Sequence, residues 1–182
     1  MDSNWRIRRA ISDDVSGIAK VNVDSWRTTY EGIIQEDFLD DMSYEKSKER
    51  WESRFKDPFA QGIVYVAEDG NGQIVGYAYG GFERSGDTLY DGELYAIYLL
   101  RGYQRKGIGK QLFYQIVSHL LSINLQGLLI WVLNDNPSRY FYESLGGQLV
   151  RERSIEIGGQ RLQLSAYGWN QLNELKVLLQ NR

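Results

Sequence analysis

Cysteine is absent from the 182 residues, histidine occurs once, and proline twice. Without thiols the chain can form no disulfide, no thiolate metal site and no cysteine nucleophile. A single histidine, His119, cannot build a histidine-based metal cluster and makes a Ser-His-Asp triad an improbable reading, so no metal is expected. His119 lies in the apolar run from Ile116 to Leu121, where packing on a helix face is the plain reading. No apolar run approaches the ~20 residues that span a bilayer. The first ten residues lack the apolar core of a secretory signal, so the cytoplasm is the expected location and no membrane partner is expected. Excess positive charge is missing too. Lys and Arg number 21 against 24 Asp and Glu, a net charge of -3, and no nucleic-acid partner is expected.

What is present is a soluble-type composition, 42% hydrophobic and 25% charged, long enough for one core. Aromatics reach 13%, with 13 Tyr and 5 Trp, which suits a sheet and a pocket lined by rings. No internal repeat or linker divides the chain, so residues 1–182 read as one domain. Alternation predicts a first strand over 5–11. A helix follows from Ser12-Asp13-Asp14, and a polar link leads to a second helix capped by Ser43 and ended near Pro58. Strands at 62–68 and 73–82 flank the turn Asp69-Gly70-Asn71-Gly72. A strand over 89–100, a helix over 107–122, a buried strand over 128–133 and a helix over 136–145 come next. A hairpin over 148–167 turns at Gly158-Gly159, and a last helix covers 170–179. Gly76, Gly80 and Gly81 mark places where backbones approach closely. The order predicts a mixed α+β fold with a largely antiparallel sheet.

The stretch from Gly92 to Gly109 carries the chemistry. An apolar strand enters the basic turn Gln104-Arg105-Lys106-Gly107-Ile108-Gly109, and a helix starts at once. Gly107 and Gly109 remove Cβ atoms where backbone N–H groups could approach a ligand. The helix N-terminus and the charges of Arg105, Lys106 and Lys110 suit a phosphate. The turn has neither the Gly-Lys-Ser/Thr of a nucleotide-kinase loop nor the G-x-G-x-x-G of a dinucleotide fold.

The Q-x-x-G-x-G spacing of Gln104, Gly107 and Gly109 resembles the pyrophosphate arm of the GNAT N-acetyltransferase superfamily. The segment from Asn136 through Phe141-Tyr142-Glu143 to Gly146 is similar to the family's second cofactor element, and the order of elements agrees over about 7–167. The resemblance implies a GNAT-like twisted sheet with helices on both faces, and acetyl-CoA as co-substrate. It also implies a V-shaped opening between the strands at 95–100 and 128–133. Main-chain groups of Ile97 and Leu99 would pair with the pantetheine amides. N–H groups from Arg105 through Ile108 to Lys110 would hold the pyrophosphate, and Asn136 would hydrogen-bond the cofactor. Arg139 is read either as a phosphate contact or as part of a solvated helix face.

Amine acetylation needs the amine's proton removed, negative charge on the carbonyl oxygen stabilised, and the leaving thiolate stabilised. Glu93 is the candidate general base, against a plain structural carboxylate. Tyr142 is the candidate general acid at the cofactor sulfur, against plain aromatic packing. The N–H of Ile97 is the candidate oxyanion donor. Trp26, Tyr30, Glu31 and Glu93 are the candidate acceptor contacts. The acids at Glu31, Glu36, Asp37, Asp40, Asp41, Glu83, Asp87 and Asp91 read either as a solvated loop or as a cleft that draws in a small cationic amine. Polyamines, aminoglycoside-like compounds, amino acids and peptide amines all fit. An acyl-CoA-binding module without catalysis and a protein lysine or N-terminal acetyltransferase are the alternatives. A homodimer is compatible with the terminal hairpin and helix.

Overall fold

The computed structural model describes residues 4–57 and 62–181. Seven strands form one sheet: β1 Trp5–Arg9, β2 Ile63–Asp69, β3 Ile74–Phe82, β4 Gly92–Leu99, β5 Leu128–Leu133, β6 Gln148–Ile157 and β7 Gln160–Trp169. Their spatial order is β1-β2-β3-β4-β5-β7-β6. Every neighbouring pair is antiparallel except β4 with β5, which is parallel. The helices are α1 Val15–Thr29, α2 Glu36–Asp40, α3 Tyr44–Lys56, α4 Ile108–Ser122, α5 Arg139–Ser144 and α6 Leu172–Gln180.

Strand β2 shows why an unbroken apolar run sits at the centre. Ile63, Tyr65 and Ala67 pack into the core under α4 and α6, while Val64 and Val66 pack under α1 and α3. Successive side chains point to opposite faces, so a strand covered on both sides must be apolar throughout. Gly80 in β3 is needed for close packing. A Cβ there would lie 2.9 Å from the Glu93 carbonyl oxygen and 3.0 Å from Ile116 Cγ2 of α4.

Two connections position the site. In the β2–β3 turn, one oxygen of Asp69 accepts the N–H groups of Asn71 and Gln73, and the other accepts the Tyr103 hydroxyl at 2.8 Å. That bond ties the loop after β4 to a rigid hairpin. On the opposite face, Tyr30, Ile34 and Leu39 from the α1–α2 region pack against Leu133 of β5 and against Leu162 and Leu164 of β7.

The elements follow the sequence reading with local differences. The polar link contains the short helix α2. Strand β4 begins at Gly92 because Asp87 accepts the N–H groups of Leu89 and Tyr90, holding that backbone in a turn. Helix α5 begins at Arg139 because Asn136 Oδ1 accepts the Ser138 N–H at 2.8 Å, an Asx turn ahead of the helix. Ser43 caps α3 by accepting the Lys46 N–H. Pro58, read as the stop for that helix, lies outside the described residues.

Candidate active site

β4 and β5 pair at two positions, Gly92 with Leu128 and Glu93 with Leu129, and then part. A bulge explains where the parting begins. β3 pairs Tyr79 with Ala96 and Gly80 with Leu94, leaving Tyr95 as an extra residue that bends β4. Leu100 donates its N–H to the Val75 carbonyl, toward β3, at 2.9 Å. Main-chain groups alternate along a strand, so Ile97 and Leu99 turn theirs into the gap. Gln104 Nε2 already donates to the Leu99 carbonyl at 3.2 Å. The gap opens into a cavity of about 530 Å³ that crosses the sheet.

At the C-terminal end of β4 the backbone makes a left-handed turn. Arg105 has φ 59 and Gly107 has φ 81, both left-handed. Gln111 is the residue whose N–H bonds back to the Gly107 carbonyl. Ile108 and Gly109 open the helix, and the N–H groups that start a helix have no intrahelical acceptor. Gln104, Arg105, Gly107, Gly109 and Lys110 line the cavity. Lys106 lies outside that lining, with its ammonium 5.2 Å over the Tyr103 ring. Ile108 is fully buried in the core beneath the turn, so its contribution is confined to the backbone. Arg139 also lies outside, stacked on Tyr140 and bonded to that hydroxyl at 3.1 Å.

Tyr142 sits in the cavity wall at 4% exposure. Burial, with Tyr30 nearby, pushes its phenol well above the usual range, so it stays protonated at neutral pH. Among the described residues none hydrogen-bonds its hydroxyl. Tyr30 and Tyr98 share a hydroxyl contact of 3.1 Å, and the side chain of Asn136, 4% exposed, reaches Tyr30. The sheet opening therefore joins α1 to α5 through a polar cluster of Tyr30, Tyr98, Asn136 and Tyr142, all four lining the cavity.

Glu93 lines the same cavity at 6% exposure. Its carboxylate is turned onto Arg84. Oε2 accepts the Arg84 main-chain N–H at 3.2 Å and Nε at 3.1 Å, and Oε1 accepts Nη2 at 2.7 Å. The same guanidinium lies 3.8 Å over the Tyr95 ring.

Trp26 and Tyr30 stack edge-to-face at 4.8 Å and both face the cavity, whereas Glu31 is exposed outside it. The acidic cleft does not form. Glu36, Asp37, Asp40 and Asp41 point to solvent. Glu83 accepts the N–H groups of Ser85 and Asp87, Asp91 those of Gln126 and Gly127, and Asp87 binds Arg151. These carboxylates hold turns. Among the described residues lining the cavity Glu93 is the one acid, beside Arg84, Arg105, Lys110 and Arg153.

Residues 23–147 match the model of the acetyltransferase (GNAT) family. A protein of Bacillus subtilis (strain 168), described as the uncharacterized N-acetyltransferase YuaI, is 42% identical over 173 residues, covering 95% of this chain and 97% of the relative. The chain belongs to the GNAT acetyltransferase family. Solved structures share the fold. PaiA N-acetyltransferase of Thermoplasma acidophilum, in complex with coenzyme A, superposes with a TM-score of 0.67 at 19% identity, covering 88% of this chain and 97% of that one. YncA of Salmonella typhimurium, a putative acetyltransferase with its cofactor acetyl-CoA, gives 0.66 at 21% identity, with 94% and 95% covered.

This GNAT enzyme is an acetyl-CoA-dependent acyltransferase. Its own residues fit that co-substrate: a strand edge that β5 leaves after Glu93 for amides, a left-handed glycine turn at a helix N-terminus for phosphates, and a buried phenol in the same cavity. Four lining residues were not legible as site residues. Arg84 and Tyr98 enter through the register of β3 with β4, and Trp131 and Arg153 through the register of β5, β7 and β6. For Arg84 a signal existed, a cation nine residues before Glu93 across a short hairpin.

Proposed function

We propose that the chain acts as one N-acetyltransferase domain over 1–182, in the cytoplasm, moving the acetyl group of acetyl-CoA directly to the primary amine of a small molecule. The observation that carries this is the single opening between β4 and β5, which holds Glu93 at its closed end, Tyr142 in its wall and the phosphate turn at its mouth.

Main-chain groups of Ile97 and Leu99 hold the pantetheine amides, and the backbone from Arg105 to Lys110 holds the pyrophosphate. Asn136 contacts the same arm. The amine arrives protonated, with a pKa of ~10.4 for a lysine-like group. A carboxylate offers about four acceptor positions. Arg84 takes three from Glu93, so one on Oε1 is left to accept the amine's proton through water. The amine nitrogen then bonds to the acetyl carbon, the Ile97 N–H stabilises the oxyanion, and the C–S bond breaks as the nitrogen's second proton passes to the leaving sulfur, giving amide and thiol. A thiol has a pKa of ~8.5. Proton transfer from Tyr142, whose phenol lies above 10, runs uphill. Tyr142 therefore acts first as a hydrogen-bond donor to the sulfur as charge builds. Co-binding of both substrates supplies the proximity, with no covalent enzyme intermediate.

The test is thiol release from acetyl-CoA against a panel of amines, with Tyr142→Phe and Glu93→Gln beside the wild type. Thiol release with one acceptor, lost in large part in both variants, supports the reading. Acetyl-CoA binding with background release across small amines removes the small-molecule role.

A further inference from the structure

The acceptor side of the cavity carries a cation that the transfer chemistry does not use. Along β5, Ile130 and Val132 face α4, while Trp131 and Leu133 face the α1–α2 region. The phosphate turn opens at the N-terminus of α4, so Trp131 marks the other half of the cavity. The Arg153 guanidinium lies 4.1 Å over the Trp131 ring. No carboxylate among the described residues lies within salt-bridge distance of it. Its strand neighbour on the same face, Arg151, is paired with Asp87, and across the ladder it meets Leu164. Ile155, Ile157 and Leu164 form apolar walls beside it. Arg84, the other cation on this side, is taken up by Glu93.

A guanidinium held over a ring by a cation–π contact still has N–H groups with which it can receive a carboxylate through two parallel hydrogen bonds. Arg153 is itself exposed, so the apolar side chains beside it shield the pairing from water only in part.

We propose that Arg153 binds a carboxylate on the acceptor, which makes the substrate a small amino acid-type molecule with an apolar side chain rather than a polyamine. This rests on the acetyl-transfer reading and narrows its acceptor. The ammonium end faces Glu93, and the carboxylate end faces Arg153.

The test uses three matched amines, phenylalanine, phenylalaninamide and phenethylamine, and the same series built on leucine. Thiol release from acetyl-CoA is measured for wild type, Arg153→Met and Arg153→Lys. In parallel, binding of each amine to the CoA-loaded protein is followed by tryptophan fluorescence. The expected result is a preference of about ten- to a hundredfold in kcat/KM for the carboxylate members, the range of a charged hydrogen bond. Arg153→Met should abolish that preference through the acceptor KM and leave the acetyl-CoA KM unchanged. Arg153→Lys should restore part of it. Equal use of the amide and decarboxylated members by wild type overturns the carboxylate site and keeps acetyl transfer. An unchanged preference in Arg153→Met overturns the role of Arg153. Carboxylate-dependent binding without thiol release keeps the site and overturns transfer. Neither binding nor release by any carboxylate member overturns the proposal.

Discussion

Arg84 closes on Glu93 through Nε at 3.1 Å and Nη2 at 2.7 Å at the strand position where β4 leaves β5. The pair has two consequences that separate in experiment. Removing the guanidinium leaves a buried carboxylate without its partner. Arg84 is itself partly exposed, so the cost lies between a surface pair and a buried one, about 2 kcal/mol. Arg84→Met should therefore lower the denaturation midpoint, and the double change Arg84→Met with Glu93→Gln should recover part of the loss. Urea titrations of both variants and wild type check this.

The proposed removal of a proton by Glu93 has its own signature. Glu93→Gln should lower kcat by about a hundredfold for a strongly basic amine, within the usual range for a general base. The deficit should shrink for a weakly basic acceptor such as a hydrazide, which has no proton to lose before attack. Equal deficits across acceptors of different basicity would assign Glu93 to holding the β4 bulge alone.

Among the described residues none hydrogen-bonds the Tyr142 hydroxyl, and its ring packs against Phe141, Tyr167 and Trp169. Tyr142→Phe should leave stability within about 1 kcal/mol of wild type, since no hydrogen bond is lost. It should lower kcat by about ten- to a hundredfold, with the acetyl-CoA KM unchanged. Burial holds the phenol protonated beyond pH 10, so an alkaline fall in kcat below that pH must persist in Tyr142→Phe. Steady-state kinetics from pH 6 to 10 read both effects.

Gly107 stands at φ 81 in open space, so the backbone angle, not crowding, demands glycine. Gly107→Ala should cost about 1–2 kcal/mol in the turn and raise the acetyl-CoA KM, because a relaxed turn moves the N–H groups. Gly102 has an ordinary φ and equal room, and Gly102→Ala should change neither quantity. Thermal midpoints and acetyl-CoA titrations of the two variants make the comparison.

Local features were legible and long-range ones were not. Gly107 announces itself because a turn is decided within a few residues, whereas Asn136 is marked by the family resemblance and its Asx turn ahead of α5 comes from the structure. The apolar run of β2 and the turn at Asp69 are likewise short-range. The acidic run at 31–41 misleads because charge in sequence carries no direction, and its carboxylates face solvent. Arg153 reaches Trp131 across β7, which requires two strand registers at once. The parting of β4 from β5 depends on the extra residue at Tyr95, which shows up when β3 is placed beside it. A site on a sheet opening inherits this property, since its walls come from strands distant in sequence.

The tyrosines make the protein sensitive to alkali in a direction that can be worked out. Burial pushes Tyr95 up to about 12, and burial with a bond to Glu143 pushes Tyr167 up to about 12. Tyr77, Tyr98 and Tyr142 are also raised by burial. In the unfolded chain these phenols ionise near ~10. Between that pH and 12 the unfolded state holds fewer protons than the folded one, so stability falls as pH rises. Below pH 10 both states keep the protons, and this contribution is fully present. The denaturation midpoint should accordingly be flat with respect to these groups from pH 8 to about 9.5 and decline steadily above it. Phenolate absorbance of the folded protein at pH 11 should account for fewer than the 13 tyrosines, the remainder appearing together on unfolding. If all 13 titrate near pH 10 with the fold intact, the ring cluster lining the opening is open to water, and the proposed role of Tyr142 as a donor to the leaving sulfur loses the burial that supports it.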